Sequence, residues 1–234
     1  MEENSKRLEV LNTRIKAMKS MYEARNIPQA IYEASLSDVY YRLERFKNTH
    51  GYDGISEWDM FWLEDVLNCK FFNIGVLRFQ IFEMKHALIQ RKDYDYIELS
   101  EDDKRRFPEG QFYLSVHIIQ GADLSEDKVD ETFDMARQFF KLYFSDYHFE
   151  YFICRTWLID ESLNDLLKPD SNILSFAKRF EFVARGLNYS HPFKRIYGTD
   201  DLEAIKKLEH KSSLAKEAYK HADRMGVTFA SIKF

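Results

Sequence analysis

The sequence predicts an α+β protein: a mixed sheet flanked by helices and preceded by a helical N-terminal segment. Apolar residues recur at helical spacing up to about residue 68, the period shortens to two after Lys70, and one strand, loop, helix, strand unit runs from Phe112 to Ile159. That unit favours a parallel strand pair.

In order, Leu8, Leu11, Ile15, Met18 and Tyr22 recur in steps of three and four, predicting an amphipathic helix that stops before Pro28. A second helix is expected from Ser35 or Ser37 to Gly51, burying Leu36, Val39, Tyr40, Leu43 and Phe46. A third, capped by Ser56, carries Trp58, Phe61, Trp62 and Val66. Leu77, Phe79 and Ile81 alternate with Arg78 and Gln80 as in a strand with one buried face. Tyr94 to Leu99 reads as a further strand, Glu101 to Arg106 as a charged turn, and Phe112 to Ile119 as a largely apolar strand.

Gly121 supplies a turn and Ser125 an N-cap for a helix burying Val129, Phe133, Ala136, Phe140 and Tyr143. Phe149 to Ile159 follows as a strand, then short helices at Leu163 to Leu167 and Asn172 to Arg179. Phe180 to Ala184 and Lys194 to Tyr197 read as strands, Ser213 to Arg224 as a helix, and Val227 to Ile232 as a closing strand. The expected division is a helical segment at 1–68 packed on an α/β domain at 69–234, with no flexible linker.

Composition excludes several classes of function. The 34 basic and 39 acidic side chains of the 234 residues leave a mildly negative net charge, so no general attraction draws the chain to nucleic acid or to anionic lipid. There is no apolar run long enough to span a bilayer and no leader-like start, which predicts a soluble cytoplasmic protein without membrane partners. Cys69 and Cys154 lie in separate segments, and His117, His148, Cys154 and His191 lack ligand spacing, so neither a disulfide nor a metal is expected. Nucleotide-binding glycine loops of the Gly-Lys-Ser/Thr or Gly-x-Gly-x-x-Gly type are absent. The 20 Phe and 14 Tyr fit a bulky core or an apolar pocket for an acyl chain.

Several short motifs occur in order: Trp58-Asp59 with Trp62, Leu77-Arg78-Phe79-Gln80, Val116-His117-Ile118, Cys154-Arg155-Thr156-Trp157-Leu158-Ile159-Asp160, Asp170-Ser171-Asn172-Ile173-Leu174-Ser175-Phe176, Arg179-Phe180 and Arg195-Ile196-Tyr197-Gly198. In these the chain resembles the bacterial acyltransferase domain-containing family with a GNAT-like C-terminal domain. The resemblance implies a GNAT-like sheet whose central parallel strands splay apart, with acetyl-CoA or a longer acyl-CoA as co-substrate. It implies that the strand before the main helix, His117 to Ile119, pairs with pantetheine, with Ile118 and Ile119 as candidate contacts. The loop containing Gly121 would receive the diphosphate at the helix N-terminus. The usual Arg/Gln-x-x-Gly-x-Gly/Ala pattern is missing there, and Asp123, Glu126 and Asp127 stand where a diphosphate would be repelled.

The expected reaction is transfer of an acyl group from CoA to a small-molecule or protein amine. His117 and Asp160 are the catalytic candidates, His117 as base or as a structural histidine, Asp160 as acid–base group or as a helix cap. Ser171, Asn172 and Arg179 are candidates for binding CoA, and Arg78, Gln80 and Trp157 for binding the acceptor. Cys154 reads as a nucleophile or as a small hydrophobe. A second reading keeps the GNAT shape without catalysis and makes the chain a ligand- or protein-binding module. The first helix needs a partner surface, either the core or a second copy in a homodimer.

Overall fold

The computed structural model describes residues 2–91, 96–210 and 212–234. Six strands form one mixed sheet in the order β1-β2-β3-β4-β6-β5. They are β1 Phe71–Ile74, β2 Leu77–Glu83, β3 Phe112–Ile118, β4 Tyr151–Thr156, β5 Glu181–Leu187 and β6 Gly226–Lys233. The helices along the chain are α1 Glu2–Ala24, α2 Gln29–His50, α3 Glu57–Trp62, α4 Glu64–Leu67, α5 His86–Ile89, α6 Glu101–Arg106, α7 Glu126–Tyr143, α8 Asn172–Ala177, α9 Ser190–Tyr197, α10 Leu202–Ile205 and α11 Ser213–Ala218. None of the helices among the described residues is long and apolar enough to cross a membrane.

The chain divides into two compact units. Unit 1 holds residues 1–81, 117–120 and 131–147; unit 2 holds 82–116, 121–130 and 148–234.

In unit 1, Leu11, Met18 and Tyr22 of α1 are buried, so the stripe predicted by the sequence finds its partner surface inside the chain. The Asn4 side chain donates to the Asp53 carbonyl and accepts from the Ile55 N–H, tying α1 to the loop before α3. Strands β1 and β2 form an antiparallel hairpin whose inward rings, Phe72 and Phe79, meet Phe133, Phe139, Phe140 and Phe144. Aromatic pairs with centroids 5.1–6.3 Å apart and mostly tilted or edge-on are the favourable arrangement for rings packed this densely. The hairpin turn needs glycine: Gly75 has φ +55°, and a Cβ there would lie 2.1 Å from the Thr132 hydroxyl, which accepts the Val76 N–H. Gly75→Ala is expected to cost about 2 kcal/mol through the left-handed backbone and the displaced threonine. Denaturant unfolding checks it, and an unchanged midpoint overturns the account.

Unit 2 is built on β4, β6 and β5, joined antiparallel with β6 in the middle. Its core gathers Phe107, Tyr113, Ile153, Trp157, Leu163, Phe193, Val227 and Phe229 with smaller apolar residues. Strand β3 runs parallel to β4, as the crossover through α7 predicts.

Several elements differ from expectation. Helix α2 starts at Gln29, directly after Pro28, because proline fits the N-terminal edge of a helix. Tyr40, Trp58 and Phe61 are exposed; the inner side of the six-residue α3 is taken by Asp59, which pairs with Arg42 and Arg45 at 2.6 Å each. The Glu101–Arg106 segment is a helix, started by a reciprocal capping box between Ser100 and Asp103. Lys194 to Tyr197 belongs to helix α9, ended by Gly198 in the left-handed conformation. Beyond β4 the chain turns through a 3-10 segment at Trp157–Ile159. Of the strand expected at Tyr94 to Leu99, Tyr94 and Asp95 lie outside the described residues, and Tyr96 to Leu99 is irregular.

Candidate active site

In unit 1 the strand face opposite Leu77, Phe79 and Ile81 carries Arg78 and Gln80, and neither points freely into water. Arg78 Nη2 lies 3.3 Å from Asp38 Oδ1. The Gln80 side chain donates through Nε2 to Asp65 Oδ2 at 2.5 Å, and its Oε1 lies 2.9 Å from His117 Nε2. The Phe71 ring lies 5.0 Å from the imidazole, centroid to centroid. Burial disfavours the imidazolium, and the Arg78 charge adds to this, so the His117 pKa falls from its ordinary value to about 4. At neutral pH His117 is therefore an uncharged ring. The structure thus brings together three of the residues picked from sequence, His117, Gln80 and Arg78.

In unit 2 the parallel register of β3 and β4 pairs Leu114 with Phe152 and Ser115 with Ile153, and among the described residues it extends no further. Both strands continue, to Ile118 and Thr156. One position beyond the last pair, the Cys154 thiol donates to the Val116 carbonyl at 3.5 Å. Burial pushes the Cys154 thiol well above the usual range, which leaves it a protonated donor and unsuited to act as a thiolate.

The loop after β3 turns at Gly121, whose φ of +80° and open surroundings suit a residue without a side chain. Asp123 Oδ1 accepts from the Ser125 N–H, so this carboxylate is occupied within its own loop. Arg179, just beyond the end of α8, ties that helix to the start of α7: Nε donates to Asp130 Oδ1 at 2.9 Å, Nη2 to the Glu126 carbonyl at 3.2 Å and Nη1 to the Ser175 carbonyl at 2.7 Å. Ser171 caps α8 by accepting from the Ile173 N–H, and Asn172 beside it is exposed. Ile118 and Ile119 are half-buried.

Asp160 has a full set of partners. Its side chain accepts from Arg185 Nε and Nη2 at 2.7 and 2.8 Å, from the Ser162 hydroxyl and N–H at 2.5 and 3.1 Å, and from the Thr228 hydroxyl at 3.0 Å. Burial pulls its pKa upward, but the Arg185 and Ser162 bonds outweigh that and hold it below the usual carboxylate range. Trp157, just before it, is buried in the unit 2 core.

A family model for the GNAT-like C-terminal domain matches residues 71–230. The chain belongs to this family. Among curated protein sequences none matches it. The fold resembles solved structures of an acyltransferase in complex with decanoyl-CoA and teicoplanin (TM-score 0.71) and in complex with decanoyl-CoA (TM-score 0.72). An acyltransferase mutant in complex with octanoyl-CoA gives a TM-score of 0.70. Each is 18% identical to this chain over 94% of its length, and the chain spans 63–64% of theirs.

The residues that hold the candidates in place carried no signal in the sequence. Asp65 lies 15 positions before Gln80, and Arg185 and Thr228 lie 25 and 68 positions after Asp160. No local spacing announces such pairs; only the strand order makes them neighbours. A signal did exist at Ser171, where a hydroxyl before an apolar run marks a cap, and that cap is formed.

Proposed function

We propose that this chain transfers an acyl group from an acyl-CoA thioester to an amine. One observation carries the reading: two parallel neighbours stop pairing at Ser115 and Ile153 although both continue, with the Val116 carbonyl met by a thiol. Parting strands expose main-chain donors and acceptors, and an extended amide-bearing arm such as pantetheine completes them as an added strand would. Ile118 and Ile119 supply the main chain that follows this opening. Gly121 and the start of α7 receive the diphosphate, where the partial positive charge of an 18-residue helix favours an anion. Family membership and the likeness to acyltransferases solved with decanoyl-CoA and octanoyl-CoA support the same reading.

Arg179 already has partners, so its role is to hold the first turn of α7 in place while leaving part of its charge near the loop. Asn172 and the Ser171 cap lie on the neighbouring helix start and offer polar groups to the nucleotide portion. In the reaction the amine nitrogen attacks the thioester carbonyl carbon and the new C–N bond forms. The C–S bond breaks, CoA leaves as thiolate, and His117 Nδ1 takes the proton that the nitrogen must lose. Burial, with the Arg78 charge adding to it, keeps the imidazole uncharged at neutral pH, and Trp157 packs behind the end of β4. The five donors on Asp160 make it the anchor of the turn after β4 and leave it no lone pair for proton transfer. The acceptor is a small-molecule amine, in keeping with the teicoplanin named with one of the similar acyltransferases.

Exposed Glu126 and Asp127 at the start of α7 favour the second reading, a GNAT-like module that no longer binds CoA, because they oppose a diphosphate. Calorimetric titration with acetyl-CoA, decanoyl-CoA and free CoA separates the two. Saturable binding is expected, weakened about tenfold, or 1.4 kcal/mol, in Arg179→Ala. No heat with any of the three ligands at high protein concentration moves the assignment to the noncatalytic module.

A further inference from the structure

The Asp65, Gln80 and His117 side chains lie in a line within unit 1, and the chemistry of its first member fixes the other two. A carboxylate only accepts hydrogen bonds, so the group that Gln80 turns toward Asp65, 2.5 Å away, has to be its NH2. The amide oxygen is then the atom facing His117 at 2.9 Å, and an oxygen there requires the imidazole to carry its proton on Nε2. Turned the other way, the amide would set oxygen against carboxylate and lose the Asp65 bond whichever tautomer the imidazole took. Phe71 from β1 and Arg78 from β2 also neighbour the ring, and neither side chain offers an acceptor.

We propose that Gln80, oriented by Asp65, is a positioning residue that locks His117 in the Nε2–H tautomer and so makes Nδ1 its proton-accepting atom. The consequence for catalysis rests on the acyl-transfer reading given above; the tautomer lock itself does not. A ring free to exchange tautomers would present a lone pair at Nδ1 only part of the time and would rotate away from its productive setting. Locking it removes both losses before substrate arrives, as a hydrogen-bonded partner does for a catalytic or metal-bound imidazole elsewhere.

The test is side-chain 15N NMR of the full chain labelled at histidine, without any substrate, for the native protein and for Gln80→Leu, Gln80→Glu and Asp65→Leu. The native His117 is expected to show a protonated-type Nε2 and an unprotonated Nδ1 from pH 6 to 8. Gln80→Leu and Asp65→Leu are expected to give averaged, mixed-tautomer shifts. Gln80→Glu, whose neutral acid can donate to Asp65 and accept from His117, is expected to restore the native pattern at the acid end of that range. Native-like shifts in both Leu variants, with melting curves showing that they fold, overturn the proposal. Should the lock vanish in Gln80→Leu while acyl transfer by that variant and by His117→Gln continues unchanged, the positioning role stands and the catalytic reading of His117 fails. If instead transfer requires His117, Gln80→Leu is expected to lower kcat at least tenfold with little change in KM for the acyl-CoA.

Discussion

Arg185→Ala is expected to lower the unfolding free energy by about 3–5 kcal/mol, because it strands a carboxylate that is 2% exposed. Asp160 loses two of its five donors at once, and the main-chain carbonyl of Arg224 loses a third bond from the same guanidinium at 2.5 Å. The backbone also approaches the pair closely, since a Cβ on Gly226 would lie 2.8 Å from Asp160 Oδ2. A melting temperature lower by about 10 °C is the direct readout. Glu161→Ala is the control, as Glu161 also pairs with Arg185 but is exposed, and an exposed ion pair contributes under about 1 kcal/mol. A melting temperature for Arg185→Ala that matches the control removes the clamp as a stabilising element. Acid acts in the same direction. Asp160 is held below the usual carboxylate range, so its contribution is complete above the unfolded-state pKa and is lost as pH falls through the folded one.

His117→Gln is expected to lower kcat for acyl transfer by about 10²–10⁴-fold, the usual contribution of a positioned acid–base group, with acyl-CoA binding little changed. Unchanged turnover assigns proton transfer to another group. The same histidine also leaves a signature on stability. The unfolded chain binds a proton at this residue below about pH 6.5, whereas the folded ring resists until about 4. Stability is therefore fully present above about 6.5 and is lost as pH falls toward 4, by roughly 1–3 kcal/mol for this half-buried ring. Denaturant unfolding at pH 7 and pH 4.5 is expected to show a smaller pH loss for His117→Gln than for the native protein, and equal losses contradict the assignment of the shift to this residue.

Much of the architecture was legible in the chain because it is written in local periods. The stripe Leu11, Met18, Tyr22 becomes the buried side of α1, the alternation from Leu77 to Ile81 becomes β2, and the segment from Phe112 to Thr156 becomes β3, α7 and β4 with the predicted parallel sense. Where two local signals competed, the reading failed. The charged run 101–106 suggested a turn, although Ser100 and Asp103 spelled a capping box. Lys194 to Tyr197 looked like a strand, although Pro192 before it and Gly198 after it bracket a helix. Strand β1 has four residues, three of them buried, and offers no alternation to detect.

The site divides in the same way. The sequence by itself determined which residue types were available: a histidine at the end of a core strand, polar partners on alternate positions of another, and a glycine turn before the longest helix of the crossover. Only the tertiary structure decided what each one meets. It set Gln80 between Asp65 and His117, closed Asp160 inside Arg185, Ser162 and Thr228, and ended the β3–β4 ladder at Ser115 and Ile153. Periods of 3.6 and 2 report which face of an element is buried, but they carry no register between elements. A hydrogen bond across 68 positions exists because β6 lies between β4 and β5, and that order is selected by the packing of the whole core rather than by any segment within it.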